Sequence, residues 1–139
     1  MPRKGSTSPV AAPIVYDAGA LVAADRGDRQ LWAQFAAAIS ERRPIVVPSP
    51  VLTQAWRGWR TQARLARLLG GCHVVSPDEK LAKEAGVLLG RSNTTDAVDA
   101  IVVATAVALR AAIVTSDIRD INGLVDSAES EFEIPIIRA

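Results

Sequence analysis

Short apolar runs alternate along the chain with longer segments whose apolar residues recur every three or four positions. The runs at 14–16, 45–47, 72–75, 112–115 and 134–137 are typical of strands buried on both faces. The longer segments predict helices over 18–24, 28–42, 50–69, 77–90 and 96–110, with a weaker helix over 121–127. Strands that alternate with helices predict an α/β fold, a three-layer α/β/α sandwich with a mostly parallel central sheet. Pro135 places the last strand at an edge of that sheet.

Two helix starts have sequence signals. Ser76, followed by Pro77 and Glu79, predicts a capping box with Ser76 as the N-cap. Thr94 or Thr95 is the predicted N-cap of the most apolar helix, over 96–110.

The length of 139 residues predicts one domain over 14–139, after a mobile tail of residues 1–13 rich in Ser, Gly, Pro and Thr. Sixteen basic and fifteen acidic residues give a net charge of +1, so a polyanion needs a local basic patch. One cysteine and one histidine exclude a disulfide framework and a Cys/His zinc site, and they favour a reducing compartment, the cytoplasm. The longest apolar run, residues 100–109, is about half of the ~20 residues that a membrane span needs, so no membrane association is expected.

Five aspartates occupy positions from which they can converge. Asp17 follows the first strand, Asp117 and Asp120 follow the fourth, and Asp96 and Asp99 share one face of a helix's first turn. The carboxyl ends of parallel strands share one sheet edge, where ligands bind. Clustered carboxylates need a cation, and oxygen ligands suit Mg²⁺ or Mn²⁺, which can activate water against a phosphodiester. Each acid also has an ordinary explanation, and for Asp120 this is capping of the weak helix.

Other phosphate-handling motifs are absent from the sequence. It contains no GxxxxGK[ST] loop and no GxGxxG after the first strand. The segment after the first strand, DAG, also lacks the paired aspartates of haloacid dehalogenase-like phosphatases.

Three segments together resemble a PIN domain: VYDAGAL at 15–21, DAVDAIVVATA at 96–106 and IVTSD at 113–117. Their order and spacing are similar to those of VapC-type toxins over nearly the whole chain, about 14–137. The resemblance implies a Mg²⁺-dependent endoribonuclease toxin that hydrolyses RNA phosphodiester bonds. It further implies a VapB-like antitoxin that holds the toxin inactive, and a homodimer.

The same resemblance assigns roles to individual residues. Asp17, Asp99 and Asp117 match metal-binding and catalytic acids, and Asp96 is an additional catalytic acid. The family's second motif usually has Glu where this chain has Gln54. Glutamine supplies neither negative charge nor a base, so metal affinity and activity are expected to be reduced. This leaves open a PIN-fold protein that binds RNA or a protein partner without efficient cleavage, and a nuclease that acts on DNA.

Four arginines recur at spacings of 3, 4 and 3 on the helix predicted to carry Gln54, namely Arg57, Arg60, Arg64 and Arg67. Such a stripe can bind RNA phosphates, and Arg57, Arg60 and Arg64 are its candidate RNA contacts. A solvated helix face or a contact with an acidic antitoxin segment explains the stripe equally well.

Two tryptophans interleave with these arginines. Trp56 and Trp59 can stack unpaired bases, although such a pair more often belongs to a core or a protein interface. Trp32 and Phe35 lie at helical spacing with other apolar residues and are expected in the core.

Overall fold

The computed structural model describes residues 11–139, so most of the predicted tail lies outside the described residues. The strands are β1 (Ile14–Tyr16), β2 (Ile45–Pro48), β3 (His73–Val75), β4 (Ala112–Thr115) and β5 (Ile136–Arg138). The helices are α1 (Ala18–Asp25), α2 (Arg29–Ser40), α3 (Ser49–Ala55), α4 (Ala63–Gly70), α5 (Glu79–Arg91), α6 (Ala97–Leu109) and α7 (Ile118–Ala128), and a 3-10 turn (Arg60–Gln62) precedes α4. Among these residues, no helix has the length and apolarity to span a membrane.

The five strands form one sheet in the order β3-β2-β1-β4-β5. Every pair is parallel, with Ile14 opposite both Ile45 and Ala112. The predicted α/β architecture is therefore confirmed, and the sheet is parallel throughout. Strand β5 lies at an edge, as Pro135 indicates.

Helices cover both faces of the sheet. Helix α6 contacts β1, β2 and β4 and is flanked by α5 and α7, whereas α1 contacts α2, α3 and α4. Helix α6 is apolar around most of its circumference because it is the central helix of its layer, and the strands β1, β2 and β4 are buried along their whole length.

The helix predicted over residues 50–69 is divided in two, which corrects the sequence prediction. Helix α3 ends at Ala55, Trp56 and Trp59 have extended backbone, and Gly58 has a φ of 75°, which glycine adopts without strain. The buried side chain of Gln62 stabilises this break. The arginines therefore do not form one stripe on the helix of Gln54: Arg57 lies in the connection, Arg60 in the 3-10 turn, and Arg64 and Arg67 on α4.

Two predicted N-caps were wrong. Helix α5 is capped by Asp78, whose Oδ1 accepts from the Leu81 N–H at 2.8 Å, so Ser76 lies outside the helix. Helix α6 is capped by Asp96, and Thr94 Oγ1 instead accepts from the Asp96 N–H at 3.1 Å. In both cases an aspartate side chain at the residue before the helix accepts from a free N–H group of the first turn, as N-caps do.

The three tryptophans and Phe35 divide between core and surface. Trp32 and Phe35 are half-buried against the core, in line with the prediction. Their rings pack edge to face with centroids 5.5 Å apart. Trp56 and Trp59 are 42% and 64% exposed, so neither belongs to the core.

Candidate metal centre

The candidate site lies at the carboxyl ends of the two central strands, β1 and β4. From β1 the chain continues to β2 on one side, while β4 lies on the other side of β1. Such a switch point opens a crevice at the end of a parallel sheet, where ligands bind. Asp17 follows β1 directly and Asp117 lies two residues after β4.

Asp17 joins these two strand ends. Its Oδ1 accepts from the Ala18 N–H at 2.6 Å, at the start of α1, and its Oδ2 accepts from the Thr115 hydroxyl at 2.8 Å. The Thr115 Oγ1 in turn accepts from the Asp117 N–H at 2.9 Å. This chain of hydrogen bonds fixes the backbone that carries Asp117, so Asp17 orients the loop after β4.

Close packing of α1 against this loop depends on Gly19. A Cβ at Gly19 would lie 2.6 Å from the Ser116 backbone nitrogen. A larger residue would displace the loop between Thr115 and Asp117, so glycine is required for this geometry.

Three carboxylates form the centre of the site. Each of Asp99, Asp117 and Asp120 offers an oxygen, and these oxygens lie within 4.8 Å of one another. Asp99 is buried in the first turn of α6, where its N–H donates to Asp96 Oδ1 at 3.0 Å. Asp117 and Asp120 are exposed at the start of α7. The Asp99 Oδ2 is buried and has no hydrogen-bond partner among residues 11–139.

Burial and neighbouring acids raise the pKa values of three aspartates, Asp17, Asp99 and Asp117. Burial, followed by the charges of Asp17, Asp96, Asp117 and Asp120, raises the pKa of Asp99 to about 7. Burial also raises the pKa of Asp17, although hydrogen bonds from Thr115 and Ala18 oppose the rise. The pKa of Asp117 is raised by burial and then by Asp120. A positive charge at the site would oppose these three increases in pKa, because it favours the ionised carboxylates.

The donor set fits a hard divalent cation. All three clustered side chains offer carboxylate oxygens, which Mg²⁺ and Mn²⁺ prefer. The buried oxygen of Asp99 lacks any other partner in the part of the chain that the structure describes. A cation would supply the missing contact and relieve the repulsion between the acids.

The four predicted catalytic aspartates have different places in the structure. Asp99 and Asp117 are in the cluster, Asp17 is hydrogen-bonded behind it, and Asp96 caps α6 beside Asp99. Asp120 was left out of the predicted site as a capping residue, yet it completes the cluster. Its position three residues after Asp117, in the same first turn of α7, was the available signal.

Gln54 lies on α3, which follows the carboxyl end of β2. Its side chain is exposed and makes no hydrogen bond within the described part of the chain. Helix α3 contains no carboxylate, so it brings no negative charge towards the sheet edge.

The predicted arginine contacts are mostly engaged within the protein. Arg57 Nη1 donates to the carbonyls of Thr53 and Trp56, at 3.0 and 2.9 Å. The Arg67 guanidinium lies 5.1 Å from the centre of the Trp32 ring.

The remaining two arginines differ. A Cβ built on Gly27 would lie 3.1 Å from the Arg64 guanidinium carbon, so Arg64 packs against the connection between α1 and α2. Arg60 is exposed on the 3-10 turn.

Comparison with known proteins identifies the family and the fold. The PIN domain family model matches residues 14–122, and the chain belongs to the PIN domain family. Among solved structures, the chain is similar to VapBC2 from Rickettsia felis bound to a promoter DNA fragment, with a TM-score of 0.67, 14% identity and coverage of 90% of this chain and 97% of that chain. It is also similar to a toxin–antitoxin complex from Klebsiella pneumoniae, with a TM-score of 0.64, 18% identity and coverage of 79% and 91%. No curated protein matches the sequence.

Proposed function

We propose that this chain is a metal-dependent endoribonuclease, a VapC-like toxin that hydrolyses RNA phosphodiester bonds in the cytoplasm. The observation that carries the proposal is the cluster of Asp99, Asp117 and Asp120, in which a buried Asp99 oxygen has no hydrogen-bond partner among the described residues. Membership of the PIN family and similarity to toxin–antitoxin complexes support it.

Mg²⁺ or Mn²⁺ is the proposed cofactor, held by Asp99, Asp117 and Asp120, with Asp17 as a further candidate ligand. When bound, such a cation polarises a phosphodiester and lowers the pKa of water. The chain's own residues prepare the site. Asp99 is fixed on the rigid helix α6, while Asp117 and Asp120 lie on the solvent side, where a phosphodiester can approach.

Asp17 and Asp96 are proposed to position this cluster. Asp17 holds the Thr115 hydroxyl, which accepts from the Asp117 N–H, and Asp96 accepts from the Asp99 N–H. Hydrogen bonds of this kind keep metal ligands in place, and their loss commonly weakens metal binding by about 10–100-fold.

The proposal is tested by cleavage of an RNA pool that contains structured and single-stranded molecules, with Mg²⁺ or Mn²⁺ and with EDTA. We expect cleavage only with metal, and a loss of at least ~100-fold in the variant Asp99→Asn. The matched control is Asp28→Asn, which changes an exposed aspartate that caps α2. Because asparagine also caps helices, this control should cut like the wild type. Single-stranded DNA of the same sequences tests the DNA alternative, and preferential cutting of DNA would reject an RNA substrate.

A second candidate function is RNA or partner binding without efficient cleavage. The exposed Gln54 and the absence of carboxylates in α3 favour it. Titration of Mn²⁺ into the wild type and into Gln54→Glu measures the effect of the missing charge. Tighter metal binding and faster cutting by Gln54→Glu are expected if the glutamine weakens the site. Equal affinity would show that Gln54 is not responsible for any low activity.

We further propose a VapB-like antitoxin as partner and a homodimer as the oligomeric state. Both structural neighbours are toxin–antitoxin complexes, which supports the antitoxin. Sedimentation of the purified chain over a range of concentrations tests the dimer, and a monomer throughout would contradict it.

We also propose RNA contacts for three arginines, Arg57, Arg60 and Arg64, and for the two exposed tryptophans, Trp56 and Trp59. The guanidinium of Arg60 is solvent-exposed, whereas that of Arg57 already donates to two carbonyls. Replacing Arg60 by alanine is therefore expected to weaken RNA binding more than replacing Arg57.

A further inference from the structure

A polar cavity adjoins the carboxylate cluster. It measures about 540 Å³ and lies between the end of α5, the loop 92–95 and the length of α7 from Arg119 to Ser127. Arg91 and Arg119 line it, and so does Asp120, which also belongs to the cluster. Because Asp120 is common to both, the cavity borders the carboxylate cluster.

The two arginines of this cavity have guanidinium groups without a partner in the described part of the chain. Both are exposed, and neither guanidinium makes an ion pair or a hydrogen bond with any part of the chain between residues 11 and 139. They differ in this respect from Arg57, which donates to two carbonyls. Two free guanidinium groups in one concave site are suited to bind a phosphate.

The rest of the cavity wall offers neutral hydrogen-bonding groups. The loop 92–95 has the sequence SNTT, and Asn93 can pair with the edge of a nucleobase. The volume lies in the ~300–1,000 Å³ range of cavities that enclose a small ligand. A base can enter such a cavity only when it is not stacked in a duplex.

We propose that this cavity binds one nucleotide of a single-stranded RNA next to the phosphodiester held at the carboxylate cluster. Arg91 and Arg119 bind its phosphate, and the loop 92–95 contacts its base or ribose. The inference rests on the proposed function, since it names a substrate subsite of the same centre. It makes the two arginines substrate-positioning residues and the loop a determinant of nucleotide preference.

Gly123 provides a way to fill the cavity without disturbing the fold. It lines the cavity on α7, and a Cβ at this position would meet nothing within 4 Å. Gly86 on α5 is its match, because a Cβ there also meets nothing within 4 Å and Gly86 does not line the cavity. The new methionine side chain therefore enters the cavity in Gly123→Met and lies outside it in Gly86→Met.

The experiment measures binding of a labelled single-stranded RNA pool by fluorescence anisotropy with Mg²⁺ present. All proteins carry Asp99→Asn so that the RNA stays intact. Replacing Arg91 and Arg119 by alanine should raise Kd by about tenfold or more, and Gly123→Met should do likewise. The slope of log Kd against log salt should fall by ~0.7 for each RNA phosphate that the variant no longer binds.

The controls separate this site from general charge. Replacing Arg26 and Arg29, both exposed, by alanine makes the same charge change elsewhere. This control and Gly86→Met should stay within about twofold of the parent, which is the usual size of an effect from an uninvolved surface residue. Equal losses in the control and test pairs, or unchanged binding by the test variants, would overturn the proposal. Absence of RNA binding by the parent would also overturn it.

Failure of the nuclease assignment and failure of the nucleotide subsite give different results. If the protein without the Asp99 substitution does not cut RNA, while RNA binding still depends on Arg91, Arg119 and Gly123, the nuclease assignment fails and the subsite stands. If it cuts RNA and the cavity variants cut equally well at subsaturating substrate, the subsite fails and the nuclease assignment stands.

Discussion

Asp99 and Gln62 are buried to the same degree, at 4% and 3% exposure, yet their surroundings are opposite. Gln62 lies where α3 gives way to α4, and it satisfies its polar atoms. Its Oε1 accepts from the N–H groups of Arg57 and Gly58, at 2.8 and 3.2 Å, and its Nε2 donates to the Ala55 carbonyl at 2.8 Å. Asp99 has an oxygen without a partner in the described chain and acidic neighbours on several sides.

The difference separates a structural polar residue from one prepared for a ligand. A satisfied buried amide holds a connection in place and needs nothing from outside the protein. An unpaired buried carboxyl among other acids lowers stability until a cation or a proton neutralises it. The segment at 56–62 is therefore expected to contribute to folding, and the sheet edge at Asp99 to binding.

The largest expected effect that sharpens this comparison is stabilisation by metal. The proposed Mg²⁺ site is formed by the folded cluster and is absent from the unfolded chain, so Mg²⁺ at about 100 times its Kd should add ~2.7 kcal/mol to the unfolding free energy. Asp99→Asn should lose most of this gain, while Gln62→Leu should keep it. Thermal unfolding across a Mg²⁺ series measures both, and equal Mg²⁺ responses in wild type and Asp99→Asn would contradict the metal centre.

The next effect concerns Gln62 itself. Gln62→Leu leaves the Ala55 carbonyl and two N–H groups without their partner, so it should lower the unfolding free energy by about 2 kcal/mol. The exposed Gln30 provides the control, and Gln30→Leu should change stability by less than about 0.5 kcal/mol. Urea unfolding compares the two variants, and a loss no larger than the control's would mean that the connection does not depend on Gln62.

A pH effect on stability follows from the pKa of Asp99 in metal-free protein. The pKa of Asp99 is about 7 in the folded state and 3.8 for the ordinary carboxyl. Between pH 3.8 and about 7, the folded protein therefore binds a proton at Asp99 that the unfolded chain has released. The stability of the metal-free wild type should therefore fall as pH rises through this window and level off above pH 7. Asp99→Asn removes this loss. In EDTA its advantage in Tm over the wild type should grow from pH 5 to pH 8.

The pH prediction has a clear opposite outcome. If Asp99→Asn is less stable than the wild type at pH 8 in EDTA, the Asp99 carboxylate is stabilising and the contrast with Gln62 fails. Asp17 and Asp117 also have raised pKa values, so a weaker pH dependence should remain in the variant.

The smallest effect concerns Arg67, whose guanidinium lies over the Trp32 ring. A double-mutant cycle with Arg67→Ala and Trp32→Leu should give a coupling of ~0.5–1 kcal/mol in urea unfolding. The same variants should leave Mg²⁺ stabilisation unchanged, since Arg67 is outside the carboxylate cluster. A coupling near zero would mean that the contact between Arg67 and Trp32 does not contribute to stability.

Much of the fold was predictable from local patterns. The apolar runs located the strands within one or two residues, and Pro135 indicated the edge position of β5. The sequence failed at 56–62, where helical spacing of apolar residues continues through Gly58. The break depends on hydrogen bonds from the buried Gln62, and its role is not visible in the periodicity.

The candidate site was predictable in part. The positions of Asp17 and Asp117 after their strands and of Asp99 in a helix's first turn pointed to the sheet edge where the carboxylates cluster. Asp120 is among the five acids expected to converge, but it is absent from the assigned site residues because its spacing also suits a helix cap. The spacing of the arginines at 57–67 predicted a stripe on one helix, whereas Arg91 and Arg119 are 28 positions apart and form no pattern in the sequence.

The sequence by itself determined the alternation of strands and helices and the placement of acids at strand ends. These features follow from side-chain periodicity and local hydrogen bonding, which act over a few residues. Only the tertiary structure decided which acids share one cluster, that Thr115 links Asp17 to the loop of Asp117 across 98 positions, and that two distant arginines line one cavity. These depend on strand order and on helix packing against the sheet, because contacts between remote residues form only when the whole core is assembled.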